Sequence, residues 1–230
     1  MTRVTRAALI AAGANPANAD AILHDMAQAC EMYRIDTPAR IAAFLAQCGH
    51  ESMSFQTAVE IWGPTPAQRR YEGRLDLGNT QPGDGSRYRG RGYIQTTGRA
   101  NHARVRDRLS QRLPAADVPD FEARPEMLAQ LPWACLSATD YWDMRGLNAL
   151  ADAGDFASIT RRINGGMNGH EDRVARWERV KAVMHAQTAV PVPAPKPAPQ
   201  SPSTPIVTHQ PEQKWHWLQR LFAALFKKGE

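Results

Sequence analysis

Cysteine, acidic side chains and long apolar runs are all scarce in this sequence of 230 residues. Its three cysteines, Cys30, Cys48 and Cys135, are an odd number and do not predict a disulfide framework. Cys48 and Cys135 fall in apolar helical patterns, so we expect reduced thiols in the core of a protein made in the cytoplasm. No apolar run reaches the roughly 20 residues of a membrane-spanning helix, which excludes such a helix within the sequence.

The shortage of acidic residues leaves the chain with a net positive charge. Lys and Arg number 28 against 23 Asp and Glu, which gives a formal charge of +5 and a pI near 9.4. A basic protein suits an anionic partner such as nucleic acid, a membrane surface or an acidic cell-wall polymer. Charge alone does not choose among these partners.

The N-terminus has only some features of an export signal. Arg3 and Arg6 precede an apolar stretch at 7–12, and Ala-Asn-Ala follows at 17–19. The apolar stretch is short, consists mostly of alanine and continues into a further helical pattern. We therefore predict the first helix of the domain at this place instead of a signal peptide.

Composition divides the chain into three parts. Residues 1–187 mix charged and apolar side chains, which predicts one domain with a hydrophobic core. Residues 188–213 are rich in proline, which is typical of an extended linker. Residues 214–230 place apolar side chains at helical spacing beside Lys and Arg, which predicts a basic amphipathic helix. We interpret 214–228 as a contact for an anionic membrane or lipopolysaccharide surface; docking on the domain, or pairing with another copy, is the alternative.

A carboxylate stands at the end of the most clearly marked helix. Thr37 suits the N-cap and Pro38 the first helical position. Apolar residues then recur at the spacing of one buried helix face: Ile41, Phe44, Leu45 and Cys48. Glu51 is the next step of this series, so we expect it at the rim of the core, partly out of water. Desolvation raises the pKa of a carboxyl group, which suits a general acid.

A second carboxylate, Glu60, follows a Ser-Met-Ser connection that should end the helix. We expect Glu60 to approach Glu51 from another backbone direction and to be more solvated. Two carboxylates in unlike environments are typical of acid and base in glycoside hydrolysis. The alternative is that Glu51 is a helix-end carboxylate bonded to a loop and that Glu60 is a surface charge. Ser54 stands where a zinc-binding helix would place its second histidine after His50, so we expect no metal and no cofactor.

Residues 71–98 are rich in glycine, aromatic and basic side chains. Their dense turn signals predict loops with at most a small hairpin, and 93–97 is the best strand candidate. Gly90 and Gly92 do not begin a dinucleotide-binding fingerprint, because Gln95 stands where another glycine is needed. These glycines instead favour a tight turn or a close approach of the backbone to a ligand. Interleaved arginines and tyrosines indicate either a nucleic-acid patch or a sugar-binding cleft, and we favour the cleft. The residues concerned are Arg87, Tyr88, Arg89, Arg91, Tyr93 and Arg99.

Helical patterns account for most of the remaining domain. We predict helices over 5–35 with a break at 13–16, and then over 38–52, 101–113, 125–131, 133–145, 155–163 and 170–186. The predicted fold class is therefore mainly α.

Six short motifs occur in a fixed order along the domain. They are FLAQxGHES at 44–52, YEGR at 71–74, LGN at 77–79, GDG at 83–85, YxGRGxIQxTGRxN at 88–101 and INGG at 163–166. Each is weak alone, but the ordered set, over about residues 5–185, resembles glycoside hydrolase family 19 and specifically its phage endolysin branch. The resemblance implies a lysozyme-like helical domain with a cleft and a small β-hairpin or loop region.

The resemblance also implies roles for individual residues. Glu51 matches the general acid of the family, and Glu60 is the best match for the general base, with Glu72 as its rival; Glu72 would otherwise pair with Arg74 or Arg91. Thr97 matches the hydroxyl residue that holds the attacking water. His102 departs from the usual tyrosine and puts one substrate contact in doubt. The residues expected to bind sugar are Gln95, Asn101 and Asn164 by the motif match, and Tyr93 and Arg91 by residue type.

The resemblance therefore implies an enzyme that hydrolyses β-1,4 links between N-acetylated sugars by an inverting acid/base mechanism. We expect a monomeric endolysin that acts on the glycan strands of peptidoglycan and does not bind nucleic acid. Without an export signal, it would wait in the host cytoplasm until it is released to the periplasm and cell wall. The alternatives are a chitinase on the same fold and a non-catalytic basic protein that binds wall or membrane.

Overall fold

The structure is a computed structural model that describes the backbone of residues 3–189 and the side chains of residues 3–187. Most of the predicted linker and the whole predicted terminal helix lie outside this range. Within it, none of the helices is long and apolar enough to cross a membrane. The α-helices in chain order are α1 Arg6–Ala11, α2 Pro16–Met32, α3 Pro38–Glu51, α4 Pro66–Arg69, α5 Asp84–Arg87, α6 Arg99–Leu109, α7 Trp133–Met144, α8 Leu147–Asp152, α9 Phe156–Asn164 and α10 His170–Ala189. Short 3₁₀ helices cover Leu75–Leu77, Ala115–Asp117 and Pro125–Ala129.

The first three helices begin where their capping residues predict. Thr5, Asn15 and Thr37 each accept a hydrogen bond from a backbone N–H of the first helical turn. Proline follows the cap at the starts of α2 and α3, where its missing N–H costs no helical hydrogen bond. The helix predicted at the N-terminus is present as α1, and its Leu9 is fully buried.

Helix α3 lies at the centre of the described domain. Every residue from Ile41 to Gly49 is buried, because α1, α8 and α10 all pack against this helix. Phe44 contacts Trp142 of α7 edge to face, with ring centroids 5.3 Å apart. The three cysteines are buried and unbridged, as predicted. Burial raises the pKa of the Cys48 thiol, so the core holds it in its neutral form.

The strand predicted at 93–97 is wrong. In the described part of the chain, β structure consists of two isolated antiparallel bridges, Val59 with Arg91 and Arg91 with Thr96. Gln95 has a left-handed backbone, with φ of 57°, and its N–H donates to the Gly92 carbonyl at 3.1 Å. Because of this turn, residues 93–97 do not form an extended strand. The short helices α4 and α8 were also not predicted, because four or six residues give too little periodicity to recognise.

His102 is fully buried on α6, so its side chain is not available for the substrate contact that its position put in doubt. Its ring packs edge-on against Tyr88, with centroids 5.3 Å apart, and its Nδ1 lies 2.9 Å from the Gly98 carbonyl. Its Nε2 is buried and, within the described structure, has no hydrogen-bond partner. Burial lowers the pKa of His102 from 6.5 to about 4, since the core disfavours the imidazolium.

We expect this histidine to make folding stability depend on pH. The unfolded chain takes up the His102 proton below about pH 6.5, whereas the folded chain does so only near pH 4. The contribution of the neutral ring is complete above pH 6.5 and is lost as the pH falls towards 4, by up to about 3 kcal/mol. Thermal melts across this range should show a shallower pH slope for His102→Phe. An unchanged slope would assign the pH dependence to other groups.

Candidate active site

Glu51 is the last residue of α3, at the point where the helix leaves the core. Its side chain is 20% exposed, so it lies at the rim of the core as predicted. It lines a cavity of about 340 Å³ that also contains Glu60. The central helix thus presents one carboxylate to a space large enough for part of a substrate.

A buried arginine of α10 holds Glu51 in place. The Nη2 of Arg173 donates to Oε1 of Glu51 at 2.5 Å, and its Nη1 donates to the side-chain oxygen of Gln47. Gln47 in turn donates to the Thr160 hydroxyl of α9 at 3.1 Å. Since Arg173 is only 1% exposed, this chain of hydrogen bonds has little freedom to move. It positions the carboxylate at the junction of α3, α9 and α10.

The backbone after Glu51 turns through three consecutive residues in the left-handed region. Met53, Ser54 and Phe55 have φ values of 51°, 65° and 59°. Such conformations cost non-glycine residues about 1–3 kcal/mol each and persist only where contacts over-determine them. Here the Ser52 hydroxyl donates to the Cys48 carbonyl at 2.6 Å and accepts from the Phe55 N–H at 2.9 Å, and Asn18 of α2 donates to the Phe55 carbonyl at 2.9 Å. The turn directs the chain towards Glu60, beside the same cavity.

Glu60 is held by donors on both of its oxygens. The Gly90 N–H donates to Oε2 at 2.9 Å, while Gln68 and Tyr71 donate to Oε1 at 2.9 Å and 3.3 Å. A Cβ on Gly90 would lie 2.6 Å from the Gln95 side-chain oxygen and 3.3 Å from the Glu60 Cβ, so glycine allows this close approach. The carboxylate accepts in all three contacts, which suits an ionised group that takes a proton from water.

The cavity between the two carboxylates combines polar and apolar walls. Thr97 and Gln95 contribute a hydroxyl and an amide, and the Thr97 hydroxyl donates to the Gln95 carbonyl at 3.1 Å. Met53 and Ile61 are 54% and 69% exposed, which is high for apolar side chains on a cavity wall. Sugar rings have apolar faces and polar rims, so this mixture suits a glycan. The lining residues are Glu51, Met53, Thr57, Val59, Glu60, Ile61, Tyr71, Gln95 and Thr97.

A second cavity, of about 180 Å³, shares Gln95 and Thr97 with the first. It lies between the 95–97 turn, α6 and α7, so both cavities border that turn. Asn101 lines this second cavity, and its side-chain N–H donates to the Thr97 carbonyl at 2.6 Å. The residues around it are Leu77, Gln95, Thr96, Thr97, Asn101, Arg104, Val105, Asp140, Tyr141, Met144 and Arg145.

Three residues expected to bind sugar line neither cavity. Arg91 and Tyr93 are only 5% and 6% exposed. Arg91 donates to the carbonyls of Arg87 and Arg89, and burial lowers its pKa to about 10. Tyr93 packs edge-on against Phe55. Asn164 is exposed at the end of α9, where Gly165 caps the helix in a left-handed conformation. We therefore assign Arg91 and Tyr93 to the packing beneath the site.

The remaining arginines of the glycine-rich section also make internal contacts. Arg99 pairs with the buried Asp84 at 2.5 Å, and Arg87 donates to the Ala123 carbonyl at 2.9 Å. Although burial opposes it, the hydrogen bond from Arg99 holds the pKa of Asp84 below its usual value. These side chains support the loops.

The rival carboxylate Glu72 has a structural role. Its two oxygens accept from the backbone N–H groups of Gly83 and Gly85 at 2.6 Å and 2.8 Å. The expected pairing with Arg74 or Arg91 is wrong, because Arg74 pairs with Asp76 instead. Glu72 lines neither cavity, so the geometry favours Glu60 as the second carboxylate.

Two matched substitutions separate these carboxylates. Glu60→Gln should lower kcat by about 100-fold or more, because an amide cannot accept a proton from water. Glu72→Gln should keep near-normal turnover and lose about 1 kcal/mol of unfolding free energy through its weakened backbone contacts. Steady-state kinetics measure kcat for both variants, and urea melts measure their unfolding free energies. Greater loss of turnover in Glu72→Gln would reverse the assignment.

The helical domain and its pair of cleft carboxylates define a class of protein: a glycoside hydrolase of lysozyme-like architecture. A protein of Haemophilus influenzae described as a glycosyl hydrolase family 19 domain-containing protein is 33% identical in an alignment of 159 residues that covers 57% of this chain and 74% of that protein. The chain therefore belongs to glycosyl hydrolase family 19. No family model matches the sequence.

Solved structures agree with this fold. Chitinase C from Streptomyces griseus has a TM-score of 0.55 at 21% identity, over 70% of this chain and 83% of its own. A chitinase C mutant has a TM-score of 0.57 at 20% identity, over 79% of this chain and 76% of its own. The mainly helical, lysozyme-like fold predicted from the sequence is confirmed.

Sequence reasoning missed the arginine that holds Glu51. Arg173 lies four residues before Trp177 and seven before Val180, on the stripe of α10 that faces the core. A charged residue in register with an apolar stripe indicates a buried partner, and this signal was available. Met53, Ile61 and Tyr71 had no comparable signal, because they reach the cavity from irregular segments.

Proposed function

We propose that this glycoside hydrolase is an endolysin that cleaves β-1,4 bonds in peptidoglycan with inversion at the anomeric carbon. The supporting observation is the single cavity in which Glu51 and Glu60 meet Thr97 and Gln95. The two carboxylates come from separate backbone segments and have different partners, a guanidinium for Glu51 and neutral donors for Glu60. Unlike environments suit unlike roles in acid/base catalysis.

In this mechanism a protonated Glu51 donates its proton to the glycosidic oxygen as the bond to the anomeric carbon breaks, and Arg173 pairs with the carboxylate that remains. Glu60 accepts a proton from a water that attacks the same carbon from the opposite face. The Thr97 hydroxyl orients that water, and Gln95 binds sugar beside it. After each turnover Glu60 holds a proton and Glu51 lacks one, so exchange with solvent restores the starting state.

The products of purified substrates test this proposal. Mass spectrometry of fragments from peptidoglycan should show new reducing ends, whose identity gives the bond that is cut. Proton NMR of the first products should show the inverted, α anomer. Cleavage of chitin oligomers without cleavage of peptidoglycan would instead support a chitinase, the activity named for the structurally similar proteins. Retained anomeric configuration would contradict the single displacement.

The basic segment 214–228 would bring the enzyme to an anionic membrane or lipopolysaccharide surface. Its support is the sequence alone: apolar residues at helical spacing, flanked by Lys and Arg, behind a proline-rich spacer. Release from the host cytoplasm to the wall would then need only a membrane lesion.

Truncation after residue 187 tests the role of this segment. Hydrolysis of purified peptidoglycan should remain within about twofold, because the two carboxylates and both cavities precede the cut. Lysis of intact cells from outside should fall sharply, and the isolated segment should become helical on anionic vesicles, less so at high salt. Equal loss on purified wall and intact cells would make the segment a structural part of the domain.

A further inference from the structure

The cavity between α6 and α7 has two guanidinium groups among its lining residues. Arg104 belongs to α6 and Arg145 follows the end of α7, and both are exposed. Among the described residues, no acidic group lies within ion-pair distance of either, whereas Arg99, Arg106, Arg108 and Arg112 all have carboxylate partners. We refer to Arg104 and Arg145 in this cavity as the arginine pocket.

The one carboxylate on this cavity wall does not neutralise the arginine pocket. Asp140 is only 2% exposed. It accepts from Nε of Arg108 at 2.8 Å and from the Tyr33 hydroxyl at 3.1 Å. Arg108 therefore balances the charge of Asp140 on the core side, which leaves the cavity with a positive charge.

Contacts position both arginines at the cavity. Arg104 donates to the Asn101 side-chain oxygen at 2.5 Å. Arg145 lies over the ring of Tyr141, with 5.2 Å between its guanidinium carbon and the ring centroid, and its carbonyl accepts from Arg162 at 2.9 Å. A guanidinium that is already oriented loses less freedom when it binds a planar anion, and carboxylate matches its paired N–H groups.

The arginine pocket adjoins the cavity of the two catalytic carboxylates. Gln95 and Thr97 line both spaces. Arg104 bonds to Asn101, and Asn101 bonds to the Thr97 carbonyl. A glycan that extends from the catalytic cavity past the 95–97 turn would therefore place a neighbouring sugar and its substituents beside the arginines.

We propose that the arginine pocket is a specificity subsite for a carboxylate carried on the glycan. This inference rests on the proposed function, since the lactyl-peptide branches of peptidoglycan carry carboxylates whereas chitin is uncharged. The subsite would make the enzyme prefer an acidic, branched glycan to a neutral one, while the cleavage chemistry remains that of Glu51 and Glu60.

Binding to the Glu51→Gln protein tests the subsite without turnover. The probes are soluble muropeptide oligomers, the same oligomers with their carboxylates converted to amides, and neutral N-acetylglucosamine oligomers. Native oligomers should bind about fivefold more tightly than amidated ones, as two partly solvated ion pairs contribute. Adding Arg104→Gln and Arg145→Gln should remove that difference and leave the affinity for neutral oligomers unchanged.

A matched control removes the same charge elsewhere. Arg124 and Arg161 are exposed and line neither cavity, so Arg124→Gln with Arg161→Gln should preserve the preference. Equal affinity for native and amidated oligomers, or a preference that survives loss of Arg104 and Arg145, would overturn the subsite. Wild-type enzyme that cleaves neutral oligomers but not peptidoglycan would overturn the proposed function, and the binding comparison would still decide the subsite.

Glycan strands stripped of peptide identify which carboxylate binds. An amidase that removes the stem peptides leaves the lactyl carboxylate free. Because the lactyl carboxyl is amide-bonded in the native oligomers, arginine-dependent binding to these strands would show that the subsite also accepts a freed lactyl carboxylate. If the preference is lost, the contact is a carboxylate of the peptide.

Discussion

Replacing Glu51 by glutamine should lower kcat by about 1000-fold and leave the fold intact. The amide has the shape of the carboxyl group but cannot donate a proton to the leaving oxygen, and general acid catalysis contributes about 10²–10⁴ in rate. Glu51 is partly exposed at the end of α3, and the glutamine oxygen can still accept from Arg173. The measurements are kcat and KM on a soluble glycan, with circular dichroism and a thermal melt.

Glu178→Gln is the matched control, because Glu178 is an exposed glutamate that pairs with Lys181 on α10 and lines neither cavity. It should keep wild-type kinetics. Glu51→Gln should keep KM within a few-fold, since Gln95 and Thr97, which we propose contact the substrate and the attacking water, are unchanged. Turnover near the wild-type rate in Glu51→Gln would show that another group protonates the leaving group.

The helices that build the site could be predicted from the sequence because their signals are local. Thr37 and Pro38 mark the start of α3, and the apolar spacing that follows marks its buried face. The end of α9 at Asn164 follows from the glycines behind it. These features need only a few neighbouring residues, so one sequence is sufficient to find them.

The walls of the site could be predicted only in part. Arg91 and Tyr93 have the residue types of a sugar cleft, but the turn at 92–95 directs them into the packing below it. Residue type does not reveal direction in a segment without regular periodicity. Met53 reaches the cavity because three consecutive residues take left-handed conformations, and their local sequence does not require this. Tertiary hydrogen bonds from α2 and from Ser52 impose that turn.

Long-range electrostatic partners were the least predictable part. The contact between Arg173 and Glu51 joins residues far apart in sequence, and Gln47 and Thr160 extend it to α9. The register of Arg173 with the apolar stripe of α10 indicates burial, but it does not identify Glu51 as the partner. Only the packing of α10 along α3 brings the charges together and encloses them.

Substitution of Arg173 by methionine should therefore reduce both stability and turnover. Methionine fills much of the same volume but leaves the oxygen of Gln47 without its buried donor and Glu51 without a counter-charge. Removal of one partner of a buried ion pair costs about 3–5 kcal/mol. Because Glu51 is 20% exposed, water can partly replace the lost contact, and we expect about 3 kcal/mol. Turnover should fall by about 100-fold, since the acid loses its fixed orientation.

A double-mutant cycle separates the ion pair from the packing of Arg173. In a Glu51→Gln background Arg173 has already lost its counter-charge, so Arg173→Met removes a buried, unpaired cation and should cost about 1 kcal/mol less unfolding free energy than in the wild-type background. Urea melts of the wild-type protein, the two single variants and the double variant provide the four values. Equal costs in both backgrounds would mean that Arg173 stabilises the domain through Gln47 and its own burial, and that its contact with Glu51 serves only to orient the acid.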